Sequence, residues 1–351
     1  MKRSHGGDVQ GFLEKYGREP IDFSTNLSQG IMPESVKLAT AKALEEMDRY
    51  PDPLCRKLVS KISEHSGIKE EYILCGNGAA DLIYRFVLAV RAKKALVTAP
   101  AFSEYEEALE LTGTEVVKYM LSEEDDFRIQ EDYLDEITSD LDVIFLCEPG
   151  NPTGVTTDIN LLKRIIDKAA EENVLVFLDE CFNEFLDEPE SHSVMGDIER
   201  YGNLLILKSF TKIYRMPGAR LGYAVSSNEK LIENMRTAGQ SWPVSVFASE
   251  IGIAYLEEKD YMGKALAGLK EERERMSSSL RELGMKVMPC EANYILFKAE
   301  AGLDERLAEK GILIRNCSNY DGLDENWFRI GINSKEHNTK LIEAIRDVKE
   351  S

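Results

Sequence analysis

The stretch SFTKIYRMPGARLGY, residues 209–223, sets one lysine, Lys212, among hydroxyl residues and a Pro-Gly, with Arg220 ahead of a further glycine. It overlaps the end of the apolar run LLILKSF (204–210), which reads as a buried strand. A lysine desolvated at such a strand end and close to other cations loses basicity and becomes a nucleophilic amine able to form a Schiff base. Ser209 and Thr211 offer hydroxyls and Arg220 a planar fork, a donor set suited to a phosphate. Taken singly, Lys212 reads as a surface lysine on a helix.

Other unusual residues also follow β-branched runs. LCGNGAADLI (74–83) carries Gly76 and Gly78 and then opens a helix, whose first N–H groups suit a phosphate; an ordinary glycine turn is the alternative. APAFSEYEE (99–107) places Phe102 and Tyr105 after a strand, where an aromatic either stacks on a flat ring or packs in the core. CEPGNPTG (147–154) presents the Asn151 amide on a stiff loop that also reads as a plain turn. VFLDECFNEF (176–185) ends an apolar strand in Asp179 and Glu180. A carboxylate there needs a partner, either a cationic heterocycle or a nearby arginine.

Together these features describe a pocket for pyridoxal phosphate. Asp179 would keep the pyridine nitrogen protonated, making the ring an electron sink, and Lys212 would carry the cofactor and then serve as acid and base.

The elements that must position such a pocket are legible. ALVTAP (95–100), VIFLCEP (143–149), VLVFLDE (174–180) and LLILKSF read as near-continuous apolar strands. Among the charged stretches between them, DINLLKRIIDKAAEEN (158–173) puts Leu161, Leu162, Ile165, Ile166 and Ala169 on one helical face. The pattern predicts an α/β fold with a buried, mostly parallel sheet, whose ligands sit beyond the carboxyl ends of the strands. After Ser226 the texture changes to long charged helices, as in EKDYMGKALAGLKEERERMSSSLRELG (258–284), and to short strands ANYILF (292–297), ILIRNC (312–317) and WFRIGI (327–332). The expected organisation is an N-terminal arm (1–34) joining a small α+β domain (227–351), with a large cofactor-binding domain (35–226) between them.

Composition narrows the partners. The 351 residues include 43 Lys and Arg against 63 Asp and Glu, a net charge of −20, which disfavours nucleic acid and anionic membrane. Six scattered cysteines and four dispersed histidines offer no metal site and no disulfide framework, which points to reduced thiols in a cytoplasm. No signal peptide and no membrane span are expected. SEEDD (122–126) reads as a solvated loop.

With NPTG, LDE and SFTKIYRMPGARLGY in this order, the chain closely resembles, over essentially its whole length, the fold-type I pyridoxal-phosphate enzymes of the aminotransferase I/II superfamily. The resemblance implies that Lys212 is the Schiff-base lysine, Asp179 the pyridine partner, Asn151 the donor to the ring hydroxyl and Phe102 the stacking ring. It implies that the backbone of Gly78, Ala79 and Ala80, with Ser209, Thr211 and Arg220, holds the phosphate. RYPDP (49–53) looks like the segment whose tyrosine, here Tyr50, reaches the neighbouring active site of a homodimer. Arg329 in WFRIGI matches the arginine that grips the substrate α-carboxylate.

Two branches compete, histidinol-phosphate aminotransferases and the threonine-phosphate decarboxylases of cobamide (cobalamin) biosynthesis. HGGD near the start, IDFSTN (21–26), DECF and LIRNCSNYDGL (313–323) look more like the decarboxylases. The aminotransferases usually read DEAY; Phe182 lacks that hydroxyl, leaving Asn151 as the neutral donor to the ring. By the same resemblance His5, Asn26 and Arg315 are candidates to hold the substrate phosphate or carboxylate, against a frayed terminus, a turn and a surface ion pair. LSQGIMP after Asn26, and Ser245 where an asparagine is common, depart from the decarboxylase pattern. The expected reaction is decarboxylation of L-threonine O-3-phosphate, with transamination of histidinol phosphate as the alternative. A ligand-sensing module of a transcription regulator would need a basic DNA-binding segment, and none is present.

Overall fold

The computed structural model describes residues 5–350. The first strands are β1 (Ile21–Asp22), β2 (Ile73–Gly76), β3 (Lys94–Ala99), β4 (Glu115–Met120), β5 (Val143–Cys147), β6 (Leu175–Asp179), β7 (Leu204–Ser209) and β8 (Gly222–Val225). They are followed by β9 (Lys286–Val287), β10 (Tyr294–Lys298), β11 (Ile312–Leu313), β12 (Arg315–Asn316) and β13 (Trp327–Gly331).

Seven strands form the large sheet, in the order β2-β8-β7-β6-β5-β3-β4. β7, β6, β5, β3 and β4 pair in parallel, while β8 runs antiparallel to both β7 and β2. Every residue of β5 and β7 is buried, and β5 and the first four residues of β7 are correspondingly apolar in a continuous run rather than alternating; buried Lys208 pairs with Glu180 and Glu184. Register sets Cys147 beside Asp179 and Asp179 beside Leu207, so the chemistry-bearing ends of three strands line up at one edge. The helix Ile159–Glu171 buries Leu161, Leu162, Ile165, Ile166 and Ala169, and Asp158 caps it through the N–H groups of Asn160 and Leu161.

A four-stranded antiparallel sheet, β12-β13-β10-β9, carries the C-terminal strands. The helices Leu269–Glu282 and Lys335–Glu350 close a second apolar cluster over it, and Phe23 belongs to that cluster. β1 pairs in parallel with β11, so residues 21–23 pack against the C-terminal part of the chain.

Two segments differ from the sequence expectation. ILIRNC divides into β11 and β12, which pair with different partners, β1 and β13. The charged run 258–284 breaks into the helices Tyr261–Leu266 and Leu269–Glu282, with Gly268 in the left-handed region at φ 74° between them. Among the described residues no helix is long and apolar enough to cross a membrane.

Candidate active site

Lys212 lies on the short helix Phe210–Ile213, which follows β7 directly and is capped by Ser209 Oγ accepting from Thr211 N at 3.2 Å. Its Nζ stands 5.6 Å from the centroid of the Phe182 ring, and its carbonyl accepts from Ser28 N at 3.0 Å. Burial, then the Arg329 cation, bring the amine down from 10.5 to about 8; Arg220 lowers it further, and Cys181 and Asp179 oppose. A lysine that loses its proton this readily is a competent nucleophile near neutral pH.

Asp179 closes β6. Its carboxylate accepts from the Tyr105 hydroxyl at 2.6 Å and from Cys181 N at 2.9 Å. Both donors are neutral, and no ion pair to Asp179 occurs among the described residues, so the arginine partner considered for it is not what the fold supplies. Burial pushes the carboxyl above its ordinary value, against the pull of Cys181, Tyr105 and the Lys212 amine. Burial and the Asp179 charge also hold Tyr105 well above the usual phenol range, so it remains a donor. Sequence reasoning placed Tyr105 near a flat ring and missed this bond; the strand-end position was the available signal, but not the direction of the side chain. Phe102 meets Tyr105 edge-on, with centroids 5.7 Å apart.

Gly78 begins the helix Gly78–Val90 at φ 83°, so Gly78, Ala79 and Ala80 contribute its first turn, where N–H groups lack intrahelical partners. A Cβ on Gly78 would lie 2.5 Å from Arg220 Nη2, and one on Gly222 would lie 2.7 Å from Ala79 N. Gly222 pairs with both Gly76 and Ser209 in the sheet. Ser209 and Thr211 are buried, whereas Arg220 is exposed and donates to Pro217 O at 3.2 Å. The helix start, the hydroxyls and the guanidinium are thus neighbours around two glycines, whose missing side chains let Arg220 and the backbone of Gly78 and Ala79 approach closely.

On the facing side Arg329 is 5% exposed. It donates through Nη1 to Asn151 Oδ1 and through Nη2 to Ser24 O at 3.0 Å, while Nε has no partner among the described residues. Its guanidinium lies 5.5 Å from the centroid of the Tyr294 ring, whose hydroxyl donates to Gly150 O at 2.6 Å. With Oδ1 of Asn151 engaged, that amide presents Nδ2 as its donor. Arg315 is 6% exposed rather than on the surface, and it is the cross-strand register partner of Arg329. It donates to Asn319 Oδ1 at 2.7 Å and sits 5.5 Å from the Tyr320 ring centroid. Asn26 is buried with Oδ1 unpartnered among the described residues.

His5 Nε2 lies 3.3 Å from Glu104 Oε1 and its ring is 5.9 Å from that of Phe102. Ser245 caps the helix Val246–Glu257 through a 3.1 Å bond from Ala248 N, a role that accounts for a hydroxyl at that position. Tyr50 is not brought to this site within its own chain; it is 79% exposed and stacks on Trp242 at 4.5 Å.

These residues fit pyridoxal phosphate on structural grounds. A glycine-opened helix start packs against a phosphate-type donor set, the lysine amine is brought down to about 8, and a buried carboxylate accepts only from neutral donors.

Residues 18–345 match the family model described as aminotransferase class I and II. The chain is 34% identical to the threonine-phosphate decarboxylase of Salmonella typhimurium, over 98% of this chain and 96% of that one. It is also 34% identical to histidinol-phosphate aminotransferase 2 of Archaeoglobus fulgidus, over 97% of this chain and 99% of that one. Its fold matches the crystal structure of histidinol-phosphate aminotransferase from Sinorhizobium meliloti in complex with pyridoxal-5'-phosphate, with a TM-score of 0.87 and 20% identity over 99% of this chain and 96% of that one. A family match that runs through all three sheets and through every strand end carrying the candidate chemistry leaves one conclusion, that the chain belongs to the aminotransferase class I and II family.

Proposed function

We propose that the chain is a pyridoxal-phosphate-dependent enzyme that decarboxylates a small phosphorylated amino acid, L-threonine O-3-phosphate, to aminopropanol phosphate and carbon dioxide. The observation that carries this proposal is the pairing of Arg315 with Arg329 across β12 and β13, both buried. Like charges opposite one another in a sheet repel, and an anion with two charged groups, a carboxylate and a phosphate, balances them.

In this proposal Lys212 holds the cofactor covalently, Asp179 faces its ring nitrogen, Phe102 its face and Asn151 its hydroxyl. Gly78, Ala79, Ala80, Ser209, Thr211 and Arg220 hold its phosphate. Pyridoxal phosphate, when bound, would supply an electron sink for a bond broken at the substrate α-carbon. Arg329, braced by Ser24 O and Asn151, grips the substrate carboxylate, and Arg315, Asn26 and His5 take the phosphate. If the arginines orient the carboxylate for cleavage, it would leave as carbon dioxide, and the Lys212 ammonium would return a proton to the α-carbon. If they instead orient the α-proton towards Lys212, that amine would remove it, as transamination requires. The 34% identity to an aminotransferase named for histidinol phosphate supports that second reading.

The exposed apolar side chains of Ile31, Leu38, Leu44, Met47, Tyr50 and Trp242 support a homodimer in which Tyr50 reaches the neighbouring site. Six free cysteines support a reducing, cytoplasmic setting.

Incubation with threonine phosphate, and separately with histidinol phosphate plus 2-oxoglutarate, distinguishes the reactions. Carbon dioxide release independent of a keto acid is expected; glutamate formation in the second mixture overturns the assignment.

A further inference from the structure

Tyr294 opens β10 opposite Gly331 of β13, and Leu296, two residues on, stands opposite Arg329. Residues two apart on a strand share a face, so Tyr294 and Arg329 are diagonal neighbours on one face of the C-terminal sheet. Gly331 places no side chain between them, and a Cβ there would collide with Thr25 O. The adjoining Ser24 O is the carbonyl that accepts from Arg329 Nη2 at 3.0 Å. The fully buried Tyr294 ring lies 5.5 Å from the Arg329 guanidinium, within the range at which a desolvated cation and an aromatic face attract.

The same side chain reaches the cofactor half of the site. Its hydroxyl donates to Gly150 O at 2.6 Å, on the peptide that joins Gly150 to Asn151. Burial holds the phenol well above its usual range, so it stays a donor. Gly150 O also accepts from Gly154 N at 2.7 Å, and Gly154 O accepts from Glu291 N at 2.8 Å and Ala292 N at 3.3 Å. The loop presenting Asn151 is therefore bound to the segment that leads into β10. Phe182 meets the Tyr294 ring edge-on with centroids 5.1 Å apart, and Lys212 Nζ stands 5.6 Å from the Phe182 centroid. One aromatic side chain touches Arg329, the Asn151 loop and the ring beside Lys212.

We propose that Tyr294 is a positioning residue for the reaction: its ring sets the tilt of Arg329 towards the substrate carboxylate, and its hydroxyl sets the peptide that aims the Asn151 amide at the cofactor. The ring's part rests on the reading of Arg329 as the carboxylate contact, whereas the hydroxyl's part needs only the cofactor. Phenylalanine at this position keeps the first contact and loses the second. Leucine, with neither a π face nor a hydroxyl, loses both.

Titration of the cofactor-stripped enzyme with pyridoxal phosphate, followed by absorbance, tests the hydroxyl. Tyr294→Phe should weaken cofactor binding about fivefold, because Gly150 O loses one of its two donors; a packing role alone leaves the affinity unchanged. Steady-state kinetics of the loaded enzyme test the ring. Relative to Tyr294→Phe, Tyr294→Leu should raise KM for threonine phosphate about tenfold. The inhibition constant of aminopropanol phosphate, which lacks the carboxylate, should move by less than about twofold, and in an Arg329→Gln background the two variants should have equal KM. Unchanged cofactor affinity in Tyr294→Phe, or equal weakening of both ligands in Tyr294→Leu, overturns the proposal. Should the wild type not turn over threonine phosphate, the substrate reading fails by itself and the cofactor titration of Tyr294→Phe decides alone, as it does if Tyr294→Leu fails to fold.

Discussion

The hydroxyl of Tyr105 is bonded at 2.6 Å to the carboxylate of Asp179, a residue 74 positions later in the chain. The phenol therefore stands behind the group proposed to face the cofactor's ring nitrogen, and fixes which way its oxygens point. Tyr105→Phe removes one of two donors from a buried carboxylate, at a cost of about 1.5–3 kcal/mol. Cofactor affinity should fall about tenfold or more, with a changed pH dependence of the bound cofactor's absorbance. A loss of thermal stability with an unaltered spectrum would reduce Tyr105 to a packing role.

Lys212 in the cofactor-free protein should react with amine acylating reagents along a curve centred near pH 8, because burial and then Arg329 hold its amine at about 8 rather than 10.5. Arg329→Gln removes a cation that disfavours the charged amine, so the midpoint should move up towards 10.5. Lys212→Ala should cut turnover by at least ~10³-fold. Full activity in that variant would remove the basis of the proposed mechanism.

Arg329 and Asn151 form a buried pair, with Arg329 also held by Ser24 O. Breaking a buried, charge-assisted contact of this kind costs about 2–5 kcal/mol. Asn151→Ala should therefore lower kcat/KM by about 10²-fold or more, through loss of its own cofactor contact and of Arg329's orientation. A substrate analogue lacking the α-carboxylate should be much less sensitive to Arg329→Gln than the complete substrate is; equal sensitivity would move Arg329 away from the carboxylate.

Glu148 is buried beside Asn151 and accepts from Thr157 N at 2.8 Å. Burial raises its carboxyl from 4.5 to about 7 despite the Thr157 bonds. The folded chain then binds this proton more tightly than the unfolded chain. The stabilisation is complete below about 4.5 and is lost as pH rises through about 7, a swing on the order of 3 kcal/mol. Glu148→Gln should flatten the stability profile between those limits in chemical denaturation; an unchanged slope would mean that Glu148 titrates normally.

The proposed dimer predicts that Met47→Glu, on an exposed apolar surface near Tyr50, gives a monomer by analytical ultracentrifugation. Its activity should fall with the monomer fraction. A monomeric variant with full turnover would rule out a contribution from the neighbouring Tyr50.

Much of the site is legible in the linear chain because its parts sit at strand ends. Lys212, Asp179 and Asn151 each follow a run whose apolar character marks it as a buried strand, and the parallel sheet gathers those ends at one edge. The face of the helix Ile159–Glu171 was equally readable, since five residues recur at helical spacing. The run 258–284 was not, because a glycine inside a charged stretch signals a break only weakly.

What the amino-acid order determines by itself is therefore the set of chemical groups, the strands that carry them and the parallel arrangement that assembles them, all consequences of local periodicity and composition. Three further facts belong to the tertiary structure: that Tyr105 rather than an arginine meets Asp179, that Arg315 lies opposite Arg329, and that Asn151 holds Arg329. Each joins side chains from separate elements, and their meeting depends on register, rotamer and burial across contacts no local pattern encodes.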